Sequence, residues 1–129
     1  MATQLNDISL IINNNPVAYE ADSLKWRDGF GEYSCRNAVV GGGQTLKIFS
    51  KDLKSKFGMV SFALPSTAES EALKREFKIN NDQNTIELIG PEGLNFSKTF
   101  TQACLTTDPE TSAAVDGQIE CEFSTDPAV

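Results

Sequence analysis

The stretch Gln118-Ile119-Glu120-Cys121-Glu122-Phe123 alternates polar and apolar residues without a break. Successive side chains of a β-strand point to opposite faces, so this pattern predicts a strand with its three apolar residues buried and its two glutamates on a polar face. Turn-forming residues flank it, Asp116-Gly117 before and Asp126-Pro127 after. The stretch therefore predicts a sheet with one face in a core.

Similar patterns recur along the chain. Gly58–Leu64 places Val60, Phe62 and Leu64 on one face, and Pro65 ends the strand. The turn residues Asn13–Pro16 predict a hairpin between the segments on either side, 8–12 and 17–21. The remaining predicted strands lie at Tyr33–Val40, at Thr45–Phe49, around Ile86 and Leu88, and between Leu94 and Leu105.

One helix is predicted after Pro65. Ser66-Thr67-Ala68-Glu69 reads as a capping box with Ser66 as the N-cap. Acidic residues then occupy the first turn and basic residues the last, which complements the helix dipole. Ala72, Leu73 and Phe77 form the apolar stripe, and Asn80–Asp82 ends the helix.

These elements predict a mainly β protein of the α+β class. We expect an antiparallel β-sandwich or barrel of about seven strands with one flanking α-helix. A length of 129 residues suits a single domain over 1–129. Three consecutive glycines, Gly41–Gly43, and the polar segment Lys51–Phe57 predict a long loop around 41–58.

The charge balance disfavours sequence-independent binding of nucleic acid. Lys and Arg total 11 against 18 for Asp and Glu, a formal charge of −7. Basic residues cluster at 47–56, and none follows Lys98, whereas six acids do. Such a chain either attracts copies of itself head to tail or has an ordinary solvated surface with clustered charges.

The sequence lacks the usual signatures of catalysis and metal binding. There is no histidine, no Cys-x-x-Cys pair and no P-loop, so we predict no catalytic, cofactor-binding or metal-binding residue and no enzyme activity. Glu120 and Glu122 share a strand face, as a pair of glycosidase carboxylates could, but the flanking alternation makes this face polar and solvated, which favours a surface role over catalysis. No signal peptide or membrane segment is predicted, so the three cysteines, Cys35, Cys104 and Cys121, are expected to be reduced.

Two interpretations of the aromatic residues stay open. Trp26, Tyr19 and Tyr33 suit a stacking platform for a sugar or base, while a lone Trp beside Arg27 also suits a core or interface anchor.

The order of these features resembles a known family. Val60-Ser61-Phe62-Ala63-Leu64-Pro65-Ser66-Thr67 opens the acidic-then-basic helix, and Asp116–Phe123 is followed by Asp126-Pro127-Ala128. The whole resembles the tail tube proteins of tailed bacteriophages, particularly those with contractile tails, which are related to type VI secretion tubes. The resemblance spans most of the chain, and Gly41–Gly58 matches least well.

The resemblance implies a structural virion protein that self-assembles into stacked hexameric rings. The tube would lie inside a tail sheath, hold the tape-measure protein and then pass the DNA at ejection, with no specific DNA binding, no membrane partner and no cofactor. The subunits would assemble in the cytoplasm of the host bacterium and end in the virion tail.

Two surfaces follow as expectations. An anionic lumen repels phosphate, so the candidate lumen-facing acids are Glu20 and Asp22 or Glu120 and Glu122, and the choice between the pairs stays open. Ring stacking is expected within Phe30–Phe57, with these candidate residues: Gly41, Gly42, Gly43, Lys47, Lys51, Lys54 and Lys56.

Other classes fit the same patterns. A monomeric β-sandwich that binds a carbohydrate or peptide would stay monomeric and gain thermal stability with its ligand. A carboxylate hydrolase would lose activity in Glu120→Gln or Glu122→Gln. A type VI secretion tube subunit would form tubes, and a tail-completion protein would form single rings or monomers.

Overall fold

The structure is a computed structural model that describes residues 5, 7–52 and 57–129, excluding the side chains of 32–34 and 50–52. The described residues form nine strands and one helix: β1 Ser9–Ile12, β2 Asn15–Val17, β3 Lys25–Arg27, β4 Glu32–Val39, β5 Thr45–Asp52, β6 Gly58–Pro65, α1 Ala68–Asn80, β7 Asn84–Ile89, β8 Ser97–Leu105 and β9 Gln118–Thr125. All strand pairs are antiparallel. The predicted mainly β, α+β sandwich with one helix is confirmed.

Seven strands form one sheet, in the order β2-β1-β7-β8-β9-β6-β3, and β4 and β5 form a separate two-stranded sheet. The long strand β8 joins the two halves of the large sheet. It pairs with β7 from Ser97 to Ala103 and with β9 through Cys104 and Leu105. The β7–β8 register shifts near Gln102, whose φ of 51° lies in the left-handed region, and such a bulge bends a strand. Both halves contribute to one core cluster.

The β6–β9 pair carries the centre of this core. Its register runs over eight residue pairs from Gly58↔Thr125 to Pro65↔Gln118. The apolar residues predicted to be buried are buried, and the glutamates of β9 are exposed, as the alternation requires. The prediction for both strands is confirmed.

The first hairpin is shorter than predicted. Its turn is Asn13-Asn14, with φ of 53° and 67°, the geometry of a type I′ turn, so Asn15 and Pro16 already belong to β2. The predicted strand over 17–21 is wrong beyond Val17. The chain leaves β1 there, because the Glu20 N–H donates to the Ala63 carbonyl of β6 at 2.8 Å.

The helix is confirmed, but its cap and its buried stripe differ from prediction. Thr67, not Ser66, is the N-cap, and its Oγ1 accepts a 3.1 Å hydrogen bond from the Ser70 amide. The Ser66 hydroxyl donates instead to the Ser112 carbonyl at 2.5 Å. Phe77 is buried against Phe123, while Ala72 is exposed, so the buried stripe is narrower than predicted.

Asn84 joins the helix to the sheet. Its side chain is fully buried, and its Nδ2 lies 3.1 Å from each of three carbonyl oxygens, those of Phe77, Asn81 and Ala103. Its Oδ1 accepts a 2.9 Å bond from Asn13 Nδ2 in the first turn. A buried amide with filled bonds fixes the end of α1 relative to β1, β7 and β8.

Within the described residues, no helix has the length and apolar character required to span a membrane.

Candidate assembly surfaces

The strands β4 and β5 form a long hairpin. Eight residue pairs run from Glu32↔Asp52 to Val39↔Thr45, so each strand extends about 26 Å at about 3.3 Å per residue. The tip closes with a 2.9 Å bond from the Val40 amide to the Gln44 carbonyl. Gly42 and Gly43 have φ of 88° and 76°, a conformation that favours glycine, which explains the glycine run at this turn.

The hairpin corrects the predicted loop around 41–58. The predicted strand Thr45–Phe49 extends to Asp52, because the partner strand β4 supplies hydrogen bonds along its whole length. The ladder therefore continues for three residues, 50–52, beyond the predicted strand and into the polar part of this segment.

The predicted stacking residues fall on or beside this hairpin. Gly41, Gly42 and Gly43 form its tip, and Lys47 lies exposed on β5. The backbone of Lys51 belongs to β5, but its side chain lies outside the described residues, as do Lys54 and Lys56 altogether.

Apolar side chains are exposed on both faces of the hairpin. Directly paired residues share a face, so Val39, Lys47 and Phe49 lie on one side with Cys35, and Leu46 and Ile48 lie on the other. The exposed fractions are 80% for Val39, 65% for Phe49 and 53% for Leu46. An isolated two-stranded hairpin is marginal in water, so these residues are suited to contact with another molecule.

Two glycines form the neck where the hairpin joins the body. A Cβ on Gly29 would lie 2.5 Å from the Gly58 nitrogen, and one on Gly58 would lie 2.3 Å from Thr125 Oγ1. Backbone therefore packs directly on backbone. Phe30 and Phe57 beside the neck are 61% and 57% exposed.

The opposite end of the body is acidic. Strand β6 runs from Gly58 at the neck to Pro65, which pairs with Gln118 at the start of β9. The 106–117 segment runs to that far end: the Thr106 amide donates to the Glu122 carbonyl in β9 at 3.0 Å, and the Ser66 amide donates to the Gly117 carbonyl at 3.2 Å. It carries three exposed acids, Asp108, Glu110 and Asp116.

Helix α1 holds this acidic segment in place. Lys74 Nζ donates to the Pro109 carbonyl at 3.2 Å and to Thr111 Oγ1 at 3.0 Å, and it pairs with Glu71 at 3.2 Å. The Thr111 hydroxyl also donates to Glu71. Hydrogen bonds from Thr111 and Lys74 hold the pKa of Glu71 below its ordinary value. The segment is therefore tethered to the helix.

Three of the four candidate lumen acids share one depression. Asp22, Glu120 and Glu122 line a depression of about 440 Å³ on the outer face of the β3–β6–β9 sheet, together with Lys25. Glu120 also lines a neighbouring depression of about 700 Å³ with Asp108 and Glu110. Glu20 is half-buried and is not among the described residues that line either one. Sequence reasoning paired Glu20 with Asp22, but the break in strand pairing after Val17 groups Asp22 with β9.

Two of the three aromatic residues, Tyr19 and Trp26, line one depression, and both are half-buried. Trp26 is half-buried, packs against the core and lies 5.6 Å from Phe96, measured between ring centroids. The Tyr19 hydroxyl donates to the Ile8 carbonyl. The depression that the Tyr19 and Trp26 rings line has a volume of about 490 Å³. The side chain of Tyr33 is outside the described residues. These contacts favour the interpretation of Trp26 as a core or interface anchor.

In the part of the chain that the structure describes, no three His, Cys, Asp or Glu side chains are grouped to hold a metal ion. Burial raises the pKa of Cys121 to about 11, so this thiol is protonated and unreactive at neutral pH.

Comparison with known proteins gives matches in structure. No protein-family model and no curated protein matches the chain by sequence. A chain of the PVC sheath–tube complex, an extracellular contractile injection system in its extended state, is similar with a TM-score of 0.58 and 9% identity, over 99% of this chain and 90% of that one.

Two further chains solved by cryo-EM share the fold. One, from the PVC sheath/tube terminator in its extended state, has a TM-score of 0.62 and 11% identity, over 100% of this chain and 96% of that one. The other, from the tube-terminating cap of the anti-feeding prophage, has a TM-score of 0.54 and 11% identity, over 100% and 91%. This protein therefore shares the fold of chains from the tube and terminator assemblies of contractile injection systems.

Proposed function

We propose that this protein is a structural subunit of a contractile-tail tube and that it assembles with copies of itself into stacked rings. The observation that carries this proposal is the β4–β5 hairpin, which exposes apolar side chains on both faces. A surface of that kind is unfavourable in a lone subunit and favourable once other subunits cover it. The shared fold over nearly the whole chain supports the same function.

Rings stack through the hairpin. Arg36 and Lys47 on the hairpin are exposed and basic, whereas the far end of β6 meets the acidic 106–117 segment. Contact between unlike ends is heterologous, and such contacts repeat along an axis instead of closing between two copies. Opposite charge at the two ends sets the polarity of stacking.

Neighbours within a ring pair along sheet edges. Strands β2 and β3 end the seven-stranded sheet on its two sides. An edge strand presents unpaired backbone groups, which a neighbouring subunit can satisfy. A closed ring of such contacts, with six subunits as the resemblance implies, leaves no free edge.

The acidic depression faces the channel. Asp22, Glu120 and Glu122 repeated around a ring form an anionic band, which repels phosphate and lets DNA slide without binding. The channel holds the tape-measure protein before the DNA, and a tail sheath surrounds the tube. The protein acts without catalysis in a phage virion tail, after assembly in the host bacterial cytoplasm.

Negative-stain microscopy of concentrated purified protein tests this function. We expect rings with a central channel that stack into tubes, and six subunits per ring in averaged end views. A protein that stays monomeric at every concentration contradicts the proposal.

A second function is favoured by one comparison. The similarity to a chain from the sheath/tube terminator covers 100% of this chain and 96% of that one, at a TM-score of 0.62. A terminator closes a tube, so it would form single rings that bind the end of a tube. Single rings without tubes, at concentrations that saturate ring formation, favour the terminator over the tube subunit.

A further inference from the structure

The depression beside strand β3 combines aromatic rings with carboxylates. Tyr19, Leu24 and Trp26 form its apolar part, and Asp7 and Asp22 supply its charge. Both rings are half-buried and pack against the core, so they are held in place at the wall of the depression. In the proposed function, neither the two rings nor Asp7 has a role.

The hydrogen-bonding groups of this depression are mostly acceptors. Both charged side chains among its described lining residues are carboxylates, which accept hydrogen bonds and donate none when ionised. The Tyr19 hydroxyl already donates to the Ile8 carbonyl, and burial together with the charge of Asp7 raises the pKa of Tyr19, so its proton stays in place. Among the described lining residues, the indole N–H of Trp26 is the one remaining side-chain donor. A sugar needs donors as well as acceptors, whereas a cation only donates, so this lining favours a cation.

The lining also favours an organic cation over a metal ion. Calcium takes about six to eight oxygen ligands, and the described residues bring no third acidic side chain to Asp7 and Asp22 that could hold one. Within the described residues, neither carboxylate forms an ion pair. Aromatic faces attract cations, and the flat guanidinium of arginine can stack on a ring while its N–H groups donate to carboxylates.

We infer that this depression binds an arginine side chain of a basic partner protein, with the guanidinium against the Tyr19 and Trp26 rings and its N–H groups donating to Asp7 and Asp22. Strand β3 ends the sheet, so its free backbone groups can pair with an extended segment of that partner. Leu24 and Trp26 both line the depression and are two residues apart, so a segment paired with β3 carries a side chain over it.

The charge of the chain and the geometry of the edge specify the partner further. A formal charge of −7 attracts a basic protein and repels an acidic one. The described lining belongs to one subunit, so binding does not require a ring. A ring neighbour that pairs with β3 would exclude the partner, so we place the binding on the unassembled subunit.

The fluorescence of Trp26, the only tryptophan of the chain, tests the inference on dilute protein. The probe is the peptide acetyl-Thr-Val-Arg-Val-Thr-amide, whose β-branched residues favour an extended conformation. The matched control peptide has citrulline in place of arginine, which keeps the shape of the side chain and removes its charge.

Three variants complete the experiment. Asp7→Asn and Asp22→Asn each remove one carboxylate, and asparagine tolerates the φ of 55° and 63° at these positions, so both variants should fold. Glu92→Gln is the control, because it removes one charge from an exposed acid that is not among the described lining residues. The melting temperature of each variant checks that it is folded.

We expect a saturable change in Trp26 emission with the arginine peptide and little change with the citrulline peptide. Asp7→Asn and Asp22→Asn should each weaken binding by about two- to five-fold, and Glu92→Gln should leave it unchanged. No response to the arginine peptide, an equal response to the citrulline peptide, or undiminished binding by both folded asparagine variants would overturn the inference. None of these results concerns ring formation, which microscopy tests separately, so the proposed function would stand.

Discussion

The strand pairs β6–β9 and β4–β5 have ladders of the same length but differ in how far their faces are buried. Each pair has eight antiparallel residue pairs in register. In β6–β9 one face is buried in the core and the other is polar. In β4–β5, described side chains on both faces are exposed, and both faces include apolar residues. The comparison teaches that alternation of apolar and polar residues marks a strand pair with one face buried in its own subunit, and that β4–β5, with described side chains exposed on both faces, lacks it.

The largest expected difference comes from removing one phenylalanine from each pair. Phe123 of β9 is fully buried and its ring centroid lies 5.3 Å from that of Phe77 and 5.9 Å from that of Phe62, so Phe123→Ala should lower the free energy of unfolding by about 3–5 kcal/mol. Phe49→Ala, at a site 65% exposed, should change it by less than about 0.5 kcal/mol. Urea unfolding of dilute protein measures both. Equal losses would show that the hairpin is part of the folding core.

The next largest expected difference comes from shortening the glycine tip, which should impair assembly more than folding. Deleting Gly42 and Gly43 changes the turn that joins β4 and β5, and we expect loss of stacking with a small change in melting temperature. Gly41→Ala is compared with the deletion because it changes the tip without shortening it, and a Cβ there meets nothing within 4 Å at an ordinary φ. Sedimentation measures assembly. Parallel losses of stacking and stability would count against the stacking role of this segment.

Cysteine chemistry should distinguish the two pairs without mutation. Cys35 of β4 is exposed, while Cys121 of β9 is buried with its pKa raised to about 11. At pH 8 we expect iodoacetamide to modify Cys35 first and Cys121 only after unfolding, because the thiolate is the reactive form. Peptide mass spectrometry gives the order. Early modification of Cys121 in folded protein would mean that β6–β9 opens readily.

The smallest expected effect concerns the hydrogen bonds that hold the acidic 106–117 segment to helix α1. The pKa of Glu71 is lowered by hydrogen bonds from Thr111 and Lys74, so its contribution to stability is present above the ordinary value of 4.5 and is lost as pH falls through the lowered one. The 106–117 segment should therefore loosen in acid, as measured by amide hydrogen exchange. Glu71→Gln should weaken this dependence, and Glu69→Gln, an exposed neighbour in the same turn, should leave it unchanged.

Sequence reasoning succeeded where one strand face is buried locally. The alternation of 118–123 and of 58–64 predicted β9 and β6, because burial on one side forces a period of two. It missed β3, since Lys25–Arg27 is only three residues long and has one half-buried side chain. It also missed Asn84, because a buried amide that bonds to distant carbonyls leaves no local pattern.

The candidate surfaces were predicted in outline only. The predicted strands Tyr33–Val40 and Thr45–Phe49 correspond to β4 and to the first part of β5. The continuation of β5 to Asp52 was missed, because Ser50-Lys51-Asp52 has no apolar residue to indicate a strand. The grouping of Asp22 with Glu120 and Glu122 depends on the crossing of the chain from β2 to β6, a tertiary contact that spacing does not encode.

The glycine neck determines which parts of the subunit can tolerate substitutions and insertions. A side chain at Gly29 would push the 57–58 backbone away, and a side chain at Gly58 would push β6 away from Thr125 and Asp126 at the end of β9. The reach and the surface chemistry of the hairpin, by contrast, can be altered by insertions or substitutions beyond that point without disturbing β6 or β9. A designer could therefore exchange the β4–β5 hairpin as a unit, provided that Gly29 and Gly58 were kept.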